Sequence, residues 1–163
     1  MITSCISSYN NLPYLKLAIE SVRLHGHYND CPLIIHAENC TDGTNEWLEK
    51  NSSKYNLEYY IETNATPRGI GGGMNFCADK VKTEFINFLH ADFYVSKNYD
   101  LELLNFFEKY PKDRMWVFSS RIQPNLFNDE SRPGTLPVPC GTFGEYHHNF
   151  NAEKFLLFAE EYK

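Results

Sequence analysis

The sequence predicts an α/β fold, a mainly parallel sheet flanked by helices. Three observations carry this. Short apolar runs at Ile2–Ser7, Pro32–Ala37, Leu57–Ile61 and Phe85–Leu89 read as strands. Between them lie segments whose apolar residues recur every three or four positions, the alternation of βαβ units. The length of 163 residues, 42% of them hydrophobic, suits a sizeable core.

Ile2–Ser7 is the first strand. Asn10 or Asn11 caps the next helix, with Pro13 in its first turn, where a missing N–H costs nothing. Leu12, Leu15, Ile19 and Val22 form one face of that helix, and Gly26 stops it. Pro32–Ala37 is the second strand. Thr41-Asp42-Gly43-Thr44 is a turn and cap before a short helix carrying Trp47 and Leu48. Leu57–Ile61 is the third strand. Residues Asn64–Gly73 read as a loop with four glycines, followed by a helical face of Met74, Cys77, Ala78 and Val81. Phe85–Leu89 reads as a buried central strand leading to an acid, Asp92. Leu101, Leu104 and Phe107 predict a helix before Pro111, and Met115–Ser119 a fifth strand. Residues 121–150 hold four of the eight prolines and read as a long, partly ordered loop. Ala152–Tyr162 reads as a helix.

A formal net charge of −6 disfavours nucleic acid as a partner. The five cysteines are odd in number and form no C-x-x-C pair, so neither a disulfide framework nor a zinc ribbon is indicated. They fit buried thiols in a reducing compartment. The N-terminus lacks the basic and apolar regions of a signal peptide, and no apolar run nears the roughly 20 residues of a membrane span. The expectation is a cytoplasmic chain, or one peripheral to a membrane, without a transmembrane segment.

Ligands of open α/β sheets bind beyond the carboxyl ends of the strands. Asp92 stands there, as a ligand for a hard divalent cation or as a turn cap. His90, two residues earlier, lies on the same side of an extended chain. It reads as a partner to a ligand hydroxyl or carboxylate in preference to a metal ligand. Gly69-x-Gly71-x-Gly73 is neither a dinucleotide fingerprint nor a P-loop, and its glycines allow close backbone approach. Glu38 can accept from a base or ribose, or be a solvated turn acid. Tyr9 and Asn10 can stack on and bond to a base, or form a capping turn. Glu145-Tyr146-His147-His148 looks metal-like but reads as a surface loop.

The segment Ser8-Tyr9-Asn10-Asn11-x-x-Tyr14-Leu15-x-x-Ala18-Ile19-x-Ser21-Val22 resembles the opening of family-2 glycosyltransferases. Thr41-Asp42-Gly43-Thr44 is similar to a turn of that family, and Gly69 through Asn75 to its glycine-to-asparagine helix start. Phe88-Leu89-His90-Ala91-Asp92 occupies the place of its aspartate-x-aspartate motif. These blocks occur in the family's order across residues 2–110.

The resemblance implies a GT-A fold, a Rossmann-like sheet binding a nucleotide-diphosphate sugar, UDP-linked, with Mn or Mg. By carry-over, Tyr9 and Glu38 hold the nucleoside, with Ser8, Gly69 and Asn75 beside them. Asp92 ligates the metal, and His90 stands where the motif's first acid sits. Residues 1–120 would form the nucleotide-sugar-binding domain, and 121–163 the start of an acceptor region. The chain departs from the pattern in two ways. Ala37-Glu38 replaces an acidic pair, and His90 replaces an acid. No catalytic base is assigned, and an acceptor-binding half downstream of Lys163 is expected to be missing.

The expected function is metal-dependent, inverting transfer of a sugar to a glycan, lipid or other hydroxyl acceptor. The alternative is a non-catalytic nucleotide-sugar-binding module or fragment lacking the base. A nucleotidyltransferase ranks last, because Ser7–Asn11 is neither glycine-rich nor basic.

Overall fold

The alternation read from the sequence is realised as β1 (Ile2–Ser8), α1 (Leu12–His25), β2 (Leu33–Glu38), α2 (Thr44–Asn51), β3 (Glu58–Glu62), α3 (Gly69–Ala78), β4 (Phe85–His90) and α4 (Tyr99–Lys109). Beyond these come β5 (Arg121–Asn125), β6 (Thr135–Pro139), a 3-10 turn at His147–Asn149, and α5 (Ala152–Glu160). This computed structural model describes residues 1–28, 30–110, 121–125, 135–139 and 142–161. The chain divides into two compact units, Met1–Phe106 and Phe107–Lys163.

In the first unit four strands pair in the order β3-β2-β1-β4, every pair parallel. The register sets Ser8 opposite Ala37, Ser7 opposite His90, and Glu38 opposite Glu62. The C-terminal ends of all four strands therefore lie along one edge. Parallel strands are stable when both faces are covered. On one face Leu15, Ile19 and Leu48 pack with Ile6, Leu33 and Ile35. Each fully buried side chain of this size contributes about 1.5–3 kcal/mol. On the other face α3 packs on β1 and β2, setting Cys77 against Cys5 and Ile34.

Polar groups fix the loops. Asn11 occupies the N-cap position of α1 without a side-chain cap bond. The first N–H of α1, that of Leu12, instead donates to Asp42 from the β2–α2 loop, at 2.8 Å. Asn10, at φ 47°, accepts from the Thr41 N–H at 2.7 Å. The expected local cap is thus replaced by a cross-brace between two loops at the sheet edge. The segment after β4 is tied to α1: the Val95 N–H donates to Ser21 Oγ at 3.2 Å, and the Asn98 N–H to the His25 carbonyl at 2.7 Å. Asp100, fully buried, accepts the N–H groups of His27 and Tyr28 at 2.7 and 3.0 Å.

In the second unit β5 and β6 pair in parallel. Phe143 is buried against Phe155 and Phe158, and Asn151 caps α5 by accepting from the Lys154 N–H at 2.9 Å. None of the described helices is long and apolar enough to cross a membrane.

Several expectations change. The glycines expected in a loop open a helix, since α3 starts at Gly69. Glycine is a poor helix former, but packing overrides propensity here. Gly73 lies so close to the sheet that an added Cβ would sit 2.1 Å from Ser7 Oγ and 2.8 Å from His36 Nδ1. Val81 lies beyond the helix and packs on the same cluster as Cys77. β4 neighbours β1 as expected but is not a buried central strand. It is at the edge of the described sheet, where Ile86 and Phe88 are 36% and 42% exposed, because α3 covers β1 and β2 instead. Residues 121–150 contain paired strands, with prolines at 124, 137 and 139. Among the described residues β5 and β6 pair only with each other, and a strand with an unpaired side tolerates the missing donors. The expected strand Met115–Ser119 lies outside the described residues.

Gly73→Ala is expected to destabilise the fold by about 1–3 kcal/mol in urea denaturation, through overpacking. Gly71→Ala is the control: its Cβ meets nothing within 4 Å, and helix propensity predicts about 0.5–1 kcal/mol of stabilisation. Equal effects of the two substitutions would contradict the packing account.

Candidate functional site

Ser8, Tyr9, Glu38 and His90 stand at or just past the C-terminal ends of β1, β2 and β4, and Gly69 at the start of α3. Tyr9 follows β1 and is 67% exposed. Ser8, just before it, is buried, and its hydroxyl has no hydrogen-bond partner among the described residues. Gly69, at φ +68°, begins α3 with open space where a side chain would stand. Asn75 is exposed further along α3. His90 ends β4, exposed, with its ring 5.0 Å from that of Phe93.

Glu38 is buried and its carboxylate is already engaged. The Arg68 N–H donates to both oxygens, at 2.8 and 3.0 Å, and the Asn64 side-chain amide donates to one, at 2.7 Å. Asn39 extends this tie, donating to the Asn64 carbonyl at 3.0 Å while its Oδ1 accepts the Asn64 N–H at 2.8 Å. On β3, Glu62 accepts from Arg68 Nε at 2.8 Å and pairs with His36 Nε2 at 2.8 Å. His36 is fully buried, with Nδ1 unpartnered among the described residues and its ring 4.8 Å from that of Phe76. The Arg68 guanidinium lies over the same Phe76 ring at 5.3 Å. The β3–α3 loop is thus bound at residues 64 and 68 to both neighbouring strands.

These contacts set the acidities. Burial by itself would raise the Glu38 carboxyl. The Arg68 N–H, the Asn64 amide and the Gly69 N–H outweigh it and hold the group below the ordinary glutamate range. Asp42 behaves alike: burial opposes, while the N–H groups of Leu12 and Thr44 and the Thr44 hydroxyl prevail. Hydrogen bonds from Arg68 and then His36 hold Glu62 low.

Asp92 differs from these three acids. It is exposed, two residues past β4, and makes no hydrogen bond or ion pair with the described residues. No group of three or more His, Cys, Asp or Glu that could hold a metal ion occurs among the described residues. Magnesium-type sites are commonly built from one or two carboxylates with substrate phosphates and water. A single unengaged carboxylate fits that chemistry. The adjacent His147 and His148 have rings 86° apart on an exposed turn, as a surface loop would.

Sequence reasoning missed His36, Glu62, Asn64 and Arg68. His36 carried a signal, as a polar residue inside the apolar run Leu33–Ala37. The others carried none, because their partners lie on other elements.

The model of the family described as Glycosyl transferase family 2 matches residues 3–158. No curated protein matches. Among solved structures, S. aureus TarS is similar at 19% identity and a TM-score of 0.58, over 87% of this chain and 24% of that one. TarS 1-349 in complex with UDP is similar at 21% identity and a TM-score of 0.59, over 87% of this chain and 39% of that one. The same fragment in complex with UDP-GlcNAc gives 20% identity and a TM-score of 0.58, over 87% and 38%. These likenesses show a shared fold, GT-A, and the chain spans a quarter to two fifths of those chains.

The lowered carboxyls make stability depend on pH with a defined sign. An unfolded glutamate titrates near 4.5 and the folded ones lower. Their contribution is complete above that value and is lost as pH falls through the folded values. Denaturation free energy is expected to fall between about pH 5 and pH 3, less steeply in Glu38→Gln. An unchanged slope in that variant would contradict the assignment to Glu38.

Proposed function

The chain belongs to glycosyl transferase family 2, and we propose that its sheet edge binds a nucleotide-diphosphate sugar, UDP-linked, as glycosyl donor. The observation that carries this reading is the state of the acids there. Glu38, Asp42 and Glu62 are spent on protein N–H groups and side chains, whereas Asp92 has no partner among the described residues. An exposed carboxylate just beyond a parallel strand, unpaired among the described residues, is open to a cation.

Tyr9 offers an exposed face for a base to stack on. Ser8, whose hydroxyl has no partner among the described residues, and Glu38 end the neighbouring strands β1 and β2. The N-cap residue of α3, Arg68, makes no side-chain cap bond, and beyond the N–H groups that face Glu38 the first turn suits a diphosphate, with Gly69 leaving room for it. Asn75 and His90 complete the donor side, His90 toward the sugar. A divalent cation, Mn or Mg, supplies Lewis-acid stabilisation of the leaving diphosphate when bound, and Asp92 is the residue that would hold it.

The reaction of this reading is inverting. An acceptor hydroxyl, of a glycan, lipid or other molecule, attacks the anomeric carbon as the diphosphate departs, and a carboxylate takes its proton. No described residue is assigned as that base. The described cysteines Cys5, Cys31, Cys40 and Cys77 are free thiols, which supports a reducing, cytoplasmic setting.

Calorimetric titration of UDP with and without manganese tests the reading. Wild type is expected to bind in a manganese-dependent way. Asp92→Asn keeps the shape, removes the charge and should weaken that binding by about tenfold or more, with thermal stability unchanged. His90→Ala should cost less. Wild-type affinity in Asp92→Asn would remove Asp92 from the site.

A further inference from the structure

We infer that the exposed turn at residues 145–149 is an acceptor subsite: an aromatic platform for the apolar face of an uncharged sugar ring. The inference rests on the transferase reading above and names the class of its acceptor, a glycan.

The turn is built to hold its side chains outward. Phe143, buried against Phe155 and Phe158, anchors one end. The Asn151 N–H donates to the Phe143 carbonyl at 2.7 Å and closes the base of the turn. Asn149 Oδ1 accepts the N–H groups of both Glu145 and Tyr146, at 3.1 and 2.8 Å, and the Asn149 N–H donates to the Tyr146 carbonyl at 3.1 Å. Gly144, at φ +104°, makes the corner, where a Cβ would lie 2.3 Å from the Asn149 carbonyl oxygen. The turn thus ties its own backbone together while residues 145–149 all stay exposed.

What the turn displays is aromatic. Tyr146 is 56% exposed. Its ring lies 4° from parallel with that of His148, with centroids 5.6 Å apart, and the His147 ring stands 86° from that of His148. A tyrosine on a fixed backbone, its ring stacked on an imidazole, has less freedom to lose when a ligand settles on it. Glu145, His147 and His148 form no metal-holding group with a further ligand among the described residues.

A pyranose ring matches this display. Its C–H groups form an apolar face that packs on an aromatic ring, while its hydroxyls need donors and acceptors at the rim. Imidazole nitrogens and the Glu145 carboxylate supply them. Charge narrows the ligand further. Residues 142–152 contain no lysine or arginine, and Glu145 is in the turn itself. A nucleotide would also stack, but its phosphates meet no counter-charge in this segment. An uncharged, hydroxyl-rich ring meets no such penalty.

Saturation-transfer NMR on the full chain tests the inference, with methyl β-glucopyranoside and methyl N-acetyl-β-glucosaminide as probes and UDP with manganese present in excess. Wild type is expected to transfer saturation to the ring C–H protons of both glycosides and not to glycerol, which has hydroxyls without a ring face. Tyr146→Ala is expected to weaken both glycosides by about threefold to tenfold, and Tyr146→Phe, which keeps the aromatic face, to retain them. No transfer to either glycoside in wild type, equal transfer to glycerol, or wild-type affinity in Tyr146→Ala would each overturn the inference. Failure of UDP to bind with manganese, read by calorimetry on the same protein, would overturn the donor reading instead, an outcome separate from these.

Discussion

Parallel pairing of β1 with both β2 and β4 is the constraint on which the rest of the structure depends. A parallel ladder brings every strand's C-terminus to one edge. It also forces each connection to cross a face of the sheet, so α1, α2 and α3 follow as consequences of the strand order. The loops after β1, β2, β3 and β4 then meet at that edge, and with them Tyr9, Glu38, Asn64 and Asp92. Reversing one strand would scatter these residues over two ends of the molecule.

The edge is built by matching polar groups to backbone. Asn10 and Asp42 brace the first two loops, Glu38 and Glu62 hold the third, and Ser21 and Asp100 tie the segment after β4 to α1 and the turn beyond it. Each buried carboxylate accepts several donors, which is the condition under which burying a charge is tolerated. Asp92 is outside this system of bonds. Among the described residues its charge is neither paired nor buried, the two properties that the proposed cation site would use.

The core was legible in the sequence because it rests on local periodicity. Leu15, Ile19 and Val22 point one way on α1 whatever surrounds them, and the apolar run Leu33–Ala37 is short enough to be only a strand. Misreadings came from non-local causes. Propensity places Gly69–Gly73 in a loop, and only contact with Ser7 and His36 explains why glycine is required in a helix there. The composition of β4 resembles a buried strand, but its exposure is decided by where α3 lies. Asn10 looks like a cap and braces another loop instead. Glu38 could be flagged as an acid past a strand, while its partners, far along the chain, could not.

The most direct test of the central claim, that donor diphosphate and cation meet at the C-terminal edge, is paramagnetic broadening of backbone amide signals by manganese in the presence of UDP. The account predicts strong, UDP-dependent broadening at His90–Phe93 and Gly69–Gly73, with Ile2, Leu33 and Phe85 at the opposite edge unaffected. Broadening centred elsewhere, or independent of UDP, would contradict it.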